Sequence, residues 1–215
     1  MGFPFCGSLF LCLTLHCISA DDRTSRHIKT ECIATMIYQP ICMDAYGFTD
    51  ENRTAVRIYT EQGGMLVAKR CPLHLTRGKP LYCTRCGHFF SLTRFGLREV
   101  KPCFKPPKNT KLCHTRYPFL RQFADRTCHL LIAATWVERL DTQSAMRMEV
   151  DHLNGDMLDW SADNLQWVTP AENRRRARIL RDLRTSGTDP CTLSRPQLLS
   201  IFDGETCSFF NKPTC

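Results

Sequence analysis

No run of the chain's 215 residues is long and apolar enough to cross a bilayer. Internal repeats and low-complexity tracts are missing as well, which excludes a transmembrane bundle of helices and a solenoid. Acidic residues are in short supply, with 21 Asp and Glu against 29 Lys and Arg, a net charge of +8 and a pI near 8.9. That deficit favours an acidic partner, either nucleic acid or an anionic surface. Charge of either sign is absent from residues 1–20, where the apolar run Leu9 to Leu15 leads to Cys17-Ile18-Ser19-Ala20. The segment is signal-like, yet it lacks a positive start and places Ile18 where a small residue is preferred before cleavage. The expectation is a cytoplasmic protein, secreted only if residues 1–20 are a true signal.

Apolar residues, by contrast, make up 43% of the chain, enough for one ordinary core and against wholesale disorder. Cysteine is abundant, with fourteen residues. Disulfides, bound zinc and reduced thiols all fit that number, so spacing has to decide. Cys71-Pro-Leu-His74 and Cys83-Thr-Arg-Cys86 are two ligand pairs of the kind that close a tetrahedral structural Zn²⁺ site, with Gly87 suited to the knuckle. The competing reading makes Cys83 and Cys86 small apolar residues of a hairpin. Cys103 and Cys113 flank a basic loop and would pair only in an oxidising compartment. His88 and His114 read as surface or packing residues.

Four segments follow from patterning. Residues 1–50 show no clear period and read as a leader. Residues 51–114 read as a β-rich accessory module with two hairpins, Ala55–Tyr59 with Met65–Ala68 around Gly63-Gly64, and Leu81–Cys83 with His88–Leu92 around Gly87. The Pro- and Lys-rich stretch Lys101 to Lys111 reads as a linker. Residues 115–186 form a second unit, and residues 187–215 a helical tail in which Ser194 and Gln197 make a capping box.

Within the second unit, His129 to Leu140 has helical length, with Leu130, Ala133, Ala134 and Val137 on one side. Met146 to His152 alternates like a half-buried strand, with Arg147, Glu149 and Asp151 on one face and Val150 and His152 on the other. A polar loop precedes a second strand, Asn164 to Val168. Thr169-Pro170-Ala171-Glu172 is then a capping box with proline at the first helical position, so Thr169 should bond the Glu172 amide while Glu172 reaches back. The helix carries Arg174, Arg175, Arg176, Arg178, Arg181 and Arg184, and turns Asn173, Ala177 and Leu180 to one side.

The order strand, loop, strand, capped helix carries Val150-Asp151-His152-Leu153-Asn154-Gly155, Asn164-Leu165-Gln166-Trp167-Val168-Thr169 and Pro170-Ala171-Glu172-Asn173. In these residues the chain resembles the ββα-metal, or HNH, endonuclease family, especially its phage and homing-type branch. His129-Leu130-Leu131-Ile132-Ala133 is similar to the helix that precedes the motif there. The resemblance covers about residues 115–184 and implies cleavage of DNA to 5′-phosphate and 3′-hydroxyl ends. Many relatives have histidine where this chain has Asn173; in the homing-type branch asparagine is ordinary there.

Each residue can be given a task on chemical grounds. A hard cation, Mg²⁺ or Mn²⁺, prefers oxygen donors, which casts Asp151 and Asn173 as metal ligands. His152, beside them, is the candidate general base, and Asn164 the brace of the loop that carries it. Arg174, Arg175, Arg178 and Arg181 are expected on DNA phosphates. The expected protein is α+β: a ββα-metal nuclease unit with an N-terminal β-rich accessory module and a short C-terminal helix. Its partner is DNA, without a membrane, and its oligomeric state is open. Two other classes remain compatible with the sequence, a non-catalytic DNA-binding protein and a secreted, disulfide-held nuclease or toxin.

Overall fold

Alternating apolar residues and glycine turns build the first half into one antiparallel meander. The computed structural model describes residues 40–103, 117–139 and 147–204, all within the unit Ile37–Cys215. The signal-like segment 1–20, Cys113, His114 and most of the linker lie outside the described residues. Strands β1 (Met43–Phe48), β2 (Ala55–Thr60), β3 (Met65–Arg70), β4 (Leu81–Thr84), β5 (Phe89–Thr93) and β6 (Gly96–Glu99) pair in chain order. Both expected hairpins are present. The sheet is wider than expected, because β1 lies inside the segment read as a leader and pairs with β2 from Met43↔Thr60 to Phe48↔Val56. β1 exposes its four central residues and so gives no buried alternation to read.

Each face of the sheet meets a different core. Val56, Ile58, Ala68, Tyr82, Phe90 and Leu97 cluster on one side with Phe48, Leu66 and Leu92. Leu81, Cys83 and Phe89 point the other way, so β4 is buried on both faces. They meet helix α1 (Cys128–Trp136), which follows the short strands β7 (Phe119–Leu120) and β8 (Arg126–Thr127). α1 ends earlier than its apolar run suggested and buries Cys128, Leu131, Ile132 and Ala133 rather than the stripe Leu130, Ala133, Ala134 and Val137. The cause is cover from two directions. Trp160, Ala162 and Leu165, from the second half, join the same cluster as the sheet and α1.

That second half is a hairpin, β9 (Glu149–His152) with β10 (Leu165–Val168), followed by α2 (Pro170–Thr185) and α3 (Arg195–Phe202). Thr169 Oγ1 accepts the Glu172 amide at 3.2 Å, as the capping pattern requires. The reciprocal arm is not made, because Arg175 and Arg176 take the Glu172 carboxylate. At α3, Gln197 does reach back to the Ser194 amide, at 2.8 Å. Leu153, Leu180, Leu183, Leu198 and Phe202 close a third cluster between the two helices and the loop after β9.

The four residues at zinc spacing lie in two different environments. Cys71 and Cys83 are buried with their sulfurs 3.5 Å apart, whereas His74 and Cys86 are exposed and Cys86 Sγ lies 3.3 Å from Thr84 Oγ1. Cys83 lies on β4 and Cys71 just after β3, and both belong to the core that packs against α1. Among the described residues no three His, Cys, Asp or Glu side chains come together to hold a metal. Cys42, Cys71, Cys83, Cys86, Cys103, Cys128 and Cys191 are all free thiols.

Trp160 latches the two halves, its indole N–H donating to the Gly87 carbonyl at 3.0 Å. Gly87 has φ +104°, and a Cβ there would stand 2.6 Å from Trp160 Nε1. Gly87→Ala combines a left-handed backbone with an overpacked contact, so it is expected to lower unfolding stability by about 2–4 kcal/mol. Urea denaturation of the two proteins measures this, and a loss of less than about 0.5 kcal/mol would contradict the latch.

Candidate functional site

The β9–β10 register sets Gln166 opposite Asp151 and Leu165 opposite His152. Strand alternation then sends Glu149, Asp151 and Gln166 toward α2, and Val150 and His152 toward α1. On the α2 side, Asn173 Nδ2 donates to Glu149 Oε2 at 2.9 Å. Arg176 Nη1 donates to Gln166 Oε1 at 2.9 Å and lies 3.5 Å from Asp151 Oδ2, while its Nε donates to Glu172 Oε1 at 2.7 Å. Asp151 and Asn173, the expected cation ligands, therefore share one face. The bond to Glu149 is made by the amide nitrogen of Asn173 and not by its oxygen.

The α1 side is aromatic. The His152 ring stacks on Tyr117, with centroids 5.8 Å apart and planes 21° from parallel, and meets His129 edge-on at 5.1 Å. Tyr117 and His129 are themselves 4.5 Å apart. The alternation that sets Asp151 and His152 on opposite faces thus holds, and both are still buried, at 7% and 5% exposure. A helix covers each side of the hairpin.

Asn164 closes the loop after His152. Its Oδ1 accepts the Asn154 amide at 3.1 Å, and its Nδ2 donates to Asn154 Oδ1 and to the Asp159 carbonyl, each at 2.8 Å. The turn itself is made by Gly155, at φ +70°, whose N–H donates to the His152 carbonyl at 2.8 Å.

Among the described residues, three buried side-chain polar atoms lack a hydrogen-bond partner in the protein: Asp151 Oδ2, His152 Nε2 and His129 Nδ1. All belong to this place. Such atoms cost about 1–3 kcal/mol each unless a water, an ion or a ligand satisfies them. Burial pushes the Asp151 carboxyl up to about 6, against the pull of Arg176. It also pushes His152 down to about 4, and His129 down to about 3 with His152 adding to the effect. At neutral pH the carboxylate is ionised and both imidazoles are neutral, one able to hold a cation and the others able to accept a proton or hydrogen bond.

The arginines divide by face. Arg174, Arg178 and Arg181 are exposed at helical spacing along one stripe of α2. Arg175, expected on DNA, instead grips Glu172 with two bonds of 2.7 Å and donates to the Phe202 carbonyl. Arg176 is buried, its guanidinium 4.7 Å over the Phe202 ring. Sequence reasoning missed Arg176 and Tyr117, and quoted His129 only as part of a helix. For Arg176 a signal existed: it shares the i, i+4, i+7 stripe of Leu180 and Leu183, which points inward.

Residues 146–175 match the model of a family described as HNH endonuclease. An uncharacterized HNH endonuclease of Acanthamoeba polyphaga mimivirus is 45% identical over 49 residues, 23% of this chain and 12% of that protein. The chain thus spans only a small part of the length of that relative. No solved structure matches. The hairpin and the start of α2, where Asp151, His152, Asn164 and Asn173 lie, carry the signature of an HNH nuclease.

A carboxyl whose folded value is raised contributes stability that is complete below the ordinary 3.8 and is lost as pH rises through about 6. Asp151→Asn removes that buried charge, so in EDTA it is expected to stabilise the protein at pH 8 by about 1–3 kcal/mol. The gain should shrink through pH 6 and vanish below about 4. Urea melts at pH 8, 6 and 4 check it; a less stable variant at pH 8 would mean that the Arg176 contact outweighs burial.

Proposed function

We propose that the chain is a metal-dependent DNA endonuclease in which β9, β10 and the start of α2 act as a ββα-metal unit. The observation that carries this reading is the occurrence, inside the residues that match the HNH family, of a buried carboxylate oxygen and a buried imidazole nitrogen to which no protein group hydrogen-bonds. The exposed arginine stripe and the overall basic charge favour a polyanionic substrate.

The donor set fits a hard divalent ion. Asp151 Oδ2 has only an ion-pair contact with Arg176, longer than a hydrogen bond, and Asn173 adds a neutral amide oxygen. Asp151 and Asn173 would hold Mg²⁺ or Mn²⁺, which supplies charge neutralisation at the phosphate and at the departing 3′ oxygen. His152 Nε2 takes a proton from the attacking water, and its neutral form at pH 7 suits that task. Asn164 fixes the loop that begins one residue later, so the base keeps its orientation. Arg174, Arg178 and Arg181 contact flanking phosphates without reading sequence.

Relaxation of supercoiled plasmid by the purified full-length chain tests the reading. Activity is expected with Mg²⁺ or Mn²⁺ and none in EDTA. His152→Ala should cut the rate by about 10²–10⁴-fold while leaving DNA binding intact. Undiminished relaxation by that variant would refute the base, and binding without any nicking by the unaltered chain would favour a non-catalytic DNA-binding protein. Replacing Arg174, Arg178 and Arg181 together by Ala should make the slope of log affinity against log salt shallower by about 2–3. An unchanged slope would remove the stripe from the interface.

A further inference from the structure

One atom in the cluster has no task in the reaction as described. His129 is the second residue of α1, and its Nε2 lies 3.5 Å from Thr127 Oγ1, a weak contact at most. Its Nδ1 is buried with no protein partner, as is Nε2 of His152, and the two rings touch edge to face. Tyr117 covers both rings, so neither imidazole is loose in solvent. Packing alone does not account for this. An apolar ring would fill the same space without burying an unpaired nitrogen, and a phenylalanine would avoid a cost of about 1–3 kcal/mol.

Two buried, unpaired nitrogens on neighbouring rings call for a small polar partner, and a water with two to four hydrogen-bonding neighbours meets that need. We propose that His129 is a second catalytic histidine whose Nδ1 holds the attacking water that His152 deprotonates. This rests on the endonuclease reading above. The water oxygen forms its bond to phosphorus as the bond to the 3′ oxygen breaks. The water's proton passes to His152 Nε2, and the departing oxygen is protonated from solvent. His129 exchanges no proton. It supplies a second hydrogen bond that fixes the angle at which the water lone pair meets the phosphorus, an orientation effect felt in the rate rather than in substrate binding.

Three substitutions separate nitrogen from ring. His129→Phe keeps the ring and loses both nitrogens, His129→Asn places an amide near the position of Nδ1, and His129→Gln places one near Nε2. Plasmid nicking in Mg²⁺ by the full chain gives kcat and KM, and a thermal melt monitors folding. His129→Phe is expected to melt no lower than the unaltered protein and to lose about 100-fold in kcat with KM changed less than about threefold. His129→Asn should recover at least about tenfold of that loss. His129→Phe with undiminished kcat, or His129→Asn no faster than His129→Phe, would overturn the assignment. Should His129→Phe fail to fold, the amides decide: Asn faster than Gln supports the Nδ1 role, and Gln equal or faster overturns it. An unaltered chain that never nicks counts against the endonuclease reading itself, whereas an active one with an indifferent His129 counts against this inference alone.

Discussion

Consecutive residues of a strand face opposite ways, and Asp151 and His152 are consecutive. For both to leave water, the hairpin that carries them has to be covered on both sides. α1 supplies one cover and α2 the other. This double burial holds the carboxyl at about 6 and the imidazole at about 4, so an ionised acid and a neutral base coexist at neutral pH. A solvated pair would carry the same formal charges but would be surrounded by water that weakens every interaction with a bound ion or phosphate.

Cover on the α1 side depends on the sheet. α1 is buried almost all round because the meander packs on one flank and the hairpin on the other, with Leu81, Cys83 and Phe89 reaching it from β4 and β5. Trp136 Nε1 donates to the Cys83 carbonyl at 2.9 Å, and the Ala162 amide donates to the Arg85 carbonyl at 2.9 Å. With the Trp160 bond to Gly87, these tie α1 and the loop of Asn164 to β4 and the turn that follows it. Cover on the α2 side depends on Arg176, whose guanidinium joins Glu172, Gln166 and Asp151 across the hairpin and rests on Phe202. A buried cation with three such partners is well compensated.

Much of this was legible in the sequence. The capped helix at Thr169, the capping box at Ser194, both hairpins and the strand pair around the polar loop follow from local chemistry, and the structure bears them out. β1 was illegible because its exposed residues carry no pattern. The face of α1 was misread because a helix covered from two sides has no single stripe. Spacing says nothing of which side of a strand a thiol occupies, so it could not separate the zinc and packing readings of the two cysteine pairs. Asp151, His152, Asn164 and Asn173 were expected from their order and the resemblance it carries, whereas Tyr117 joins them only through tertiary packing and Arg176 left no signal beyond its place on the inward stripe of α2.

Charge is divided between the halves in a way that bears on substrate capture. Residues 40–103 hold ten Lys and Arg against five Asp and Glu, while the described residues of 117–139 and 147–204 hold eleven of each. The half that carries the site is therefore neutral in sum, and its arginines differ from its acids in placement rather than number. Arg175 and Arg176 are spent on Glu172 and the hairpin, and Arg174, Arg178 and Arg181 remain exposed as a local grip. Among the described residues, the long-range positive field comes from the sheet. On the endonuclease reading, steering and local grip then lie on different elements, so neutralising lysines and arginines of the sheet would slow association and leave the exposed α2 contacts in place. The salt dependence of the association rate would follow the sheet, and that of the bound complex would follow α2.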